Sequence, residues 1–466
     1  MCCSAASCTD PPACRGSSRL NERVALWCLL IPFALLPGAA GAAEGAAPAN
    51  VLLYVVDTLR ADATGAYGNR EIDTPHLDRF AGEGTLFENA RANSSWTRPS
   101  MASLLTGLLP VRHGTQGRLD VLPGSLDLLS TVLKPHGYHA AFVTANPNVS
   151  SVFGFERGFD ETVELYSRRA PGRVAAKELV TPSDRVTEAA IDWLKRARRP
   201  FLLVVHTIDP HAPYAPPARF DRYGGSYRGP VTADPQWLHR KDLGAGDRAR
   251  IRSLYEGEIS FNDESLGALL GWLRAAGELD RTLAVLTSDH GEEFYEFGRR
   301  GHGESLAEAV LRIPLIVRFP ASPRVGRGVR VTGTAQLIDV LPTVLDLLGL
   351  EVPAGLDGRS LFGAAQASRP AFASLVLDGA SLHAVWGFPW KLVRDLRTGE
   401  SSLYRVDGAS EVAAPRDPEA SGLREALGGE LDAYLARSGG PSRQAAPGLP
   451  EDVKDALRAL GYLDQP

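Results

Sequence analysis

Asn50-Val51-Leu52-Leu53-Tyr54-Val55-Val56-Asp57 sets the architecture of this 466-residue chain. An unbroken apolar run with β-branched and aromatic members reads as a strand buried on both faces, and such strands belong to parallel sheets covered by helices. Asp57 stands at its carboxyl end. The arrangement recurs: His139–Thr144 runs into Asn146, Phe201–Val205 into His206, Asp209 and His211, and Leu283–Leu286 into Asp289 and His290. Ligands of open α/β sheets bind outside the carboxyl ends of the strands. Acids, amides and imidazoles are thus delivered to one edge. The expected fold is α/β, with a mostly parallel central sheet flanked by helices and a small C-terminal α+β subdomain.

Between the strands lie helical patterns. Ser183 is placed to cap a helix whose Val186, Ala189, Ala190, Trp193 and Leu194 share one face. A second helix is expected over about 249–275, with Ile259, Leu266, Leu269, Leu270 and Leu273 apolar, and a shorter one over Val340–Leu348. Tyr214 to Gly246, rich in Pro, Gly, Tyr and charge, reads as a long loop beside the site. Beyond Leu361, Trp390–Arg394 and Ser402–Val406 flank a Thr398-Gly399 turn and predict an antiparallel hairpin. Helices near 422–436 and 451–460 follow. The expected segments are a leader (1–43), a catalytic domain (48–361) and a C-terminal subdomain (362–466) packed on the sheet edge.

The leader carries Arg15, Arg19 and Arg23, then an apolar run from Val24 to Pro37 and small residues to Ala43, the pattern of a secretory signal peptide. Its competing reading is an uncleaved membrane anchor, since no charge interrupts Val24 to Ala43. Either implies export, periplasmic or extracellular. All five cysteines lie at or before Cys28, which leaves no thiol beyond the leader for a disulfide, a nucleophile or a metal. The composition of the whole chain, 44% hydrophobic and 23% charged, is ordinary for a globular protein, and its net charge of −5 speaks against nucleic acid as a partner.

The run Ser95-Trp96-Thr97-Arg98-Pro99 to Thr106-Gly107 is punctuated as a short helix, with Pro in its first turn and Gly after its end. Thr97 falls at the helix start, where free N–H groups favour anions. A hydroxyl there also serves as a plain cap, and strand-end aspartates often cap the next helix. Together, though, Asp57, Asp289, His290 and Thr97 make a coherent metal site. A divalent cation would lower the pKa of the threonine hydroxyl and turn a poor nucleophile into a useful one.

Five segments stand in order over roughly residues 50 to 350: Val55-Val56-Asp57-Thr58-Leu59-Arg60-Ala61-Asp62; Thr97-Arg98-Pro99-Ser100 with Leu105-Thr106-Gly107; Asp209-Pro210-His211-Ala212-Pro213-Tyr214; Asp289-His290-Gly291-Glu292; and Gly301-His302-Gly303. In these segments and their order the chain resembles the sulfatase-like branch of the alkaline phosphatase superfamily. The closing Leu457-Arg458-Ala459-Leu460-Gly461-Tyr462-Leu463 also looks like the tail of many bacterial members. Arylsulfatases carry Cys or Ser where Thr97 stands, and convert it to formylglycine, which threonine cannot become. Their Arg after Pro-Ser is Met101 here, their paired acids are Asp57-Thr58, and the Asn of their calcium site is His290. These departures resemble the threonine-nucleophile branches, phosphodiesterases and phosphoethanolamine or glycerol-phosphate transferases.

The resemblance implies an exported, metal-dependent hydrolase of phosphate or sulfate esters, phosphate preferred, acting through a covalent Thr97 ester. Asp57, Thr97, Asp289 and His290 would hold the ion, zinc or manganese rather than calcium because one donor is nitrogen. His211 and His302 would bind ester oxygens or protonate the leaving group, and with Asp209 they could instead form a second metal site. Asn146 and Asp209 are substrate-binding candidates; His206 reads as a satisfied strand-end residue. The substrate would be a small-molecule, glycan or lipid ester. The alternatives are a true sulfatase, a transferase, and a non-catalytic binding relative.

Overall fold

The computed structural model describes residues 49–463 apart from 167–180, 233–239, 241, 364–368, 409, 415–419, 438, 442 and 447. The leader, and with it the choice between signal peptide and anchor, lies outside the described residues, as does part of the Tyr214–Gly246 loop. No described helix is long and apolar enough to cross a membrane.

The central sheet has eight strands, β1 (Asn50–Val56), β2 (Thr85–Arg91), β3 (His139–Thr144), β4 (Glu161–Glu164), β5 (Phe201–Thr207), β6 (Thr282–Ser288), β7 (Leu315–Arg318) and β8 (Val329–Gln336). Their order across the sheet is β8-β2-β7-β6-β1-β5-β3-β4. Only β7 runs against the others, so β1, β3, β5 and β6 end at the same edge. The apolar run of β1 feeds two cores, as its composition predicts. Val51, Leu53 and Val55 pack into one and Leu52, Tyr54 and Val56 into the other.

One face is covered by α1 (Pro75–Gly82), α3 (Ser183–Leu194) and α4 (Ala245–Ala275), and the other by α2 (Thr97–Thr106) and α5 (Val340–Leu347). All five apolar positions expected for α4 are buried. Ser183 does not cap its helix: Pro182 holds the cap position, and the Ser183 hydroxyl donates to Asp209 instead.

The C-terminal sheet consists of β9 (Ala371–Leu377), β10 (Ala380–Gly387), β11 (Trp390–Asp395), β12 (Ser401–Asp407) and β13 (Ser410–Ala413), all antiparallel. The expected hairpin is β11–β12, with Trp390 opposite Arg405. Helices α6 (Ala420–Ala436) and α7 (Glu451–Ala459) follow, and α7 buries Val453, Ala456 and Leu457 in the core on the α2 side of the main sheet.

A buried ionic network ties the two sheets together. Arg91, at the end of β2, pairs with Glu308 at 2.8 Å; Trp386 Nε1 donates to Glu308 at 2.7 Å, and Lys391 lies 3.7 Å away. Arg91 and Glu308 are both excluded from solvent. Removing one member strands a charge in a medium that cannot solvate it. Glu308→Ala should therefore cost about 3–5 kcal/mol of stability in chemical denaturation, whereas Glu88→Ala, at an exposed pair with Arg330, should cost under about 1 kcal/mol.

Candidate active site

The register of β1 against β6 creates the site. Val56 lies opposite Ser288, so the next residues, Asp57 and Asp289, leave the sheet side by side. The turn after Asp57 is forced: Thr58 adopts φ 55°, a left-handed backbone unusual for a β-branched residue and worth roughly 1–3 kcal/mol of strain. It is held by its N–H, which donates to Asp289 Oδ1 at 3.2 Å, and by the Tyr255 hydroxyl, which donates to its carbonyl at 2.9 Å.

Both carboxylates are fully buried, and each uses only one oxygen. Asp57 Oδ2 accepts from Asn146 Nδ2 at 2.6 Å, and Asp289 Oδ1 accepts from the Thr58 and His290 amides. Asp57 Oδ1 and Asp289 Oδ2 have no hydrogen-bond partner among the described residues. Burial and the charge of Asp289 push the Asp57 carboxyl well up. For Asp289, burial is outweighed by His290, His206 and the Thr58 amide, which hold its carboxyl low. Two unpartnered carboxylate oxygens in one buried place call for a cation.

The other donors point the same way. His290 Nδ1 donates to the Gly291 carbonyl at 2.9 Å, which leaves Nε2 as a lone pair. That nitrogen lies 3.4 Å from Asp289 Oδ2, 3.8 Å from Asp57 Oδ1 and 3.3 Å from Thr97 Oγ1. One ligand atom from each of Asp57, Asp289 and His290 falls within 4.8 Å of the others. The residues fit a divalent cation. Thr97 is the first residue of α2, after the extended Trp96, and is wholly buried.

A second group faces the first. Gly303 N–H donates to the Ser95 carbonyl at 2.9 Å, tying the Gly-His-Gly turn to the loop that precedes Thr97. Gly301 (φ 93°) and Gly303 (φ 77°) both take the left-handed backbone this turn requires. His302 Nδ1 donates to Glu292 Oε1 at 2.9 Å, and Glu292 Oε2 accepts from the Tyr214 hydroxyl at 2.9 Å. His211 Nδ1 donates to the Ala212 carbonyl. Burial pushes His211 down to about 3, helped by the nearby His302, and His302 down to about 4. Both imidazoles are neutral at pH 7 and present Nε2 to a common centre, where each lies 3.1 Å from the Tyr462 hydroxyl.

The structure thus brings Asp57, Thr97, Asn146, His211, Asp289, His290 and His302 together. Asn146 also stands 3.5 Å from Thr97 Oγ1. Asp209 does not join them. Its Oδ2 accepts from both the amide and hydroxyl of Ser183 at the start of α3, and among the described residues it is not grouped with His211 and His302 as metal donors. His206 is not the satisfied residue its place in an apolar strand suggests. Its Nε2 is buried without a hydrogen-bond partner among the described residues, 3.7 Å from Asp57 and 3.8 Å from Asp289. Glu292 and Tyr462 escape the sequence reading of roles, although both stand in quoted motifs; an acid three residues after Asp289, within the same strand-end segment, was the available signal for Glu292.

Residues 49–350 match the profile of the Sulfatase family. The chain is 25% identical to the N-acetylglucosamine-6-O-sulfatase of Bacteroides thetaiotaomicron over 420 residues, covering 72% of this chain and 74% of that one. It is 28% identical to the multifunctional alkaline phosphatase superfamily protein PehA of Trinickia caryophylli, covering 67% and 76%. Among solved structures, the phosphonate monoester hydrolase of Agrobacterium radiobacter superposes with a TM-score of 0.70 at 21% identity, over 84% of this chain and 96% of that one.

The paired carboxylates generate a test that needs no substrate. A divalent ion held at about 100 times its dissociation constant should stabilise the folded protein by about 2.7 kcal/mol, read as a rise in the thermal midpoint. Asp57→Asn should abolish that rise. Without the ion, the same variant should be at least as stable as the wild type, because it replaces the carboxyl that burial and Asp289 force to hold a proton with a neutral amide.

Proposed function

Because this chain belongs to the sulfatase family of the alkaline phosphatase superfamily, we propose that it is an exported ester hydrolase that works on phosphate esters in preference to sulfate esters, through a covalent ester on Thr97. The observation that carries this reading is the hydroxyl of Thr97 at a helix start, 3.3 Å from His290 Nε2, the same nitrogen that lies 3.4 Å from Asp289 Oδ2 and 3.8 Å from Asp57 Oδ1. The family is metal-dependent, and Asp57, Asp289, His290 and Thr97 are the residues that would hold the ion. Their mixed nitrogen and oxygen donors suit zinc or manganese better than calcium. Bound there, the cation supplies positive charge that acidifies the Thr97 hydroxyl and offsets charge on the transferred group.

The chain's own groups divide the remaining work. Thr97, its hydroxyl proton already lost to solvent, attacks phosphorus in line through Oγ1, and the bond from phosphorus to the leaving oxygen breaks. His302 protonates that oxygen, since Glu292 at its Nδ1 stabilises the imidazolium that must form first. His211, fixed by the Ala212 carbonyl, holds an oxygen of the transferred group, and Asn146 donates to it beside Thr97. Water then attacks phosphorus, passes its proton to the now neutral His302 and breaks the bond from phosphorus to Oγ1, which releases Thr97. A formylglycine hydrate could expel sulfate by collapsing to its aldehyde. Threonine has no second hydroxyl, so its ester must be opened at the transferred atom, a route that favours phosphorus.

Thr97→Ala should lower turnover by several orders of magnitude with a stability loss of no more than about 1–2 kcal/mol, and Thr97→Ser should retain part of the activity. Acid-quenched reactions should yield a phosphorylated peptide containing Thr97; near-normal rates for Thr97→Ala would sink the covalent route.

Substrate preference is read separately, on zinc- or manganese-reconstituted protein given aryl phosphate, bis-aryl phosphate and aryl sulfate with one leaving group. One of the phosphate esters should show the highest kcat/KM. A clear preference for the sulfate would return the protein to the true sulfatases.

A further inference from the structure

Tyr462 follows α7 and sends its phenol into the centre of the site. The hydroxyl lies 3.1 Å from Thr97 Oγ1, 3.1 Å from His211 Nε2 and 3.1 Å from His302 Nε2. Its ring packs against Trp96, His211 and His302, with centroids 6.4, 5.7 and 5.9 Å away, and the residue is only 7% exposed. A nucleophile reacts with an atom about 3–3.5 Å away, within reach of the groups that stabilise its charge. In this chain that place is filled by an oxygen of the chain itself. A side chain that merely assisted would stand beyond the transferred group, not between the nucleophile and both histidines.

We propose that the segment carrying Tyr462 is an intramolecular gate: it occupies the position of the transferred group, competes with a tetrahedral oxyanion for it, and withdraws when such an anion binds. Three features make the segment releasable. The phenol has one proton, whereas His211 and His302 both present lone pairs, because their Nδ1–H groups are committed to Ala212 and Glu292. One of the two contacts is therefore always mismatched. Gly461 precedes Tyr462 with φ 78°, a left-handed joint directly after α7. Finally, α7 keeps its own anchorage through Val453, Ala456 and Leu457, so the tyrosine can swing out without unseating the helix.

The inference rests on Thr97, His211 and His302 forming the reacting site, and two measurements separate its fate from theirs. The first is amide hydrogen exchange of residues 460–463 in metal-loaded full-length protein, with and without saturating inorganic phosphate. Phosphate should speed exchange at Gly461 and Tyr462 by about tenfold or more while leaving residues 453–457 protected; unchanged or slower exchange overturns the gate. The second is kinetics of Tyr462→Phe, which keeps the ring on Trp96 and removes only the hydroxyl, alongside Tyr462→Ala. If the gate is shut about four-fifths of the time, KM for an aryl phosphate should fall about fivefold and kcat/KM should rise to match. A fall in kcat/KM for Tyr462→Phe would mark the phenol as part of the machinery and overturn the proposal. Phosphate-driven release alongside an active Thr97→Ala would keep the gate and discard the nucleophile. A Thr97 phosphopeptide without release would do the reverse.

Discussion

Two carboxylates that cannot be solvated and cannot move apart govern this molecule's working edge. Asp57 and Asp289 end neighbouring parallel strands in matched register, and both are sealed from water. Like charges a few ångströms apart in a medium of low permittivity repel by several kcal/mol, so one must hold a proton or both must share a cation. The asymmetry of their partners, an amide side chain on Asp57 and two backbone N–H groups on Asp289, selects Asp57 as the proton carrier when no cation is present. The fixed tautomer of His290 and the strained turn at Thr58 follow from the same demand, since each aims a group at a common point.

Much of this was legible in the sequence because it is written in local patterns. Runs such as Asn50–Val56 and Thr282–Ser288 announce strands buried on both faces, and a parallel sheet then gathers their ends by topology alone. Thr97 was placeable from the Pro99 and Gly107 that bracket its helix. The pair β9–β10 was missed although Asp378-Gly379 between them is a strong hairpin signal. Asp209 was harder to place, because spacing puts it two residues from His211 without saying which way each side chain turns, and its Oδ2 accepts from the Ser183 amide at the start of α3. No periodicity could join Tyr462 to Thr97. Their contact spans 365 positions and depends on where α7 docks.

The second group of residues shows how the fold uses neutral histidines. Burial keeps His211 and His302 uncharged, yet the two differ in what stands behind them, a backbone carbonyl for one and the Glu292 carboxylate for the other. A carboxylate can compensate an imidazolium; a carbonyl does so only weakly. The pair is therefore not redundant. His302 is built to change charge and His211 to stay neutral. The Gly303 amide on the Ser95 carbonyl ties the turn that carries His302 to the loop that precedes Thr97.

These lone pairs have a consequence for which anions settle in the site. Two Nε2 acceptors can meet an incoming oxygen as hydrogen-bond acceptors only if that oxygen carries a hydrogen. A phosphate monoester, whose second ionisation lies near pH 6, can bring one; a sulfate ester, fully ionised in water, cannot. A sulfate ester would instead require His302 to take a proton from solvent, and its binding would then weaken as the medium becomes alkaline. A monoanionic phosphate monoester would bring a hydrogen for one of the two imidazoles and so would need one proton fewer. The two oxyanions, alike in shape, would thus be told apart by where the hydrogen comes from.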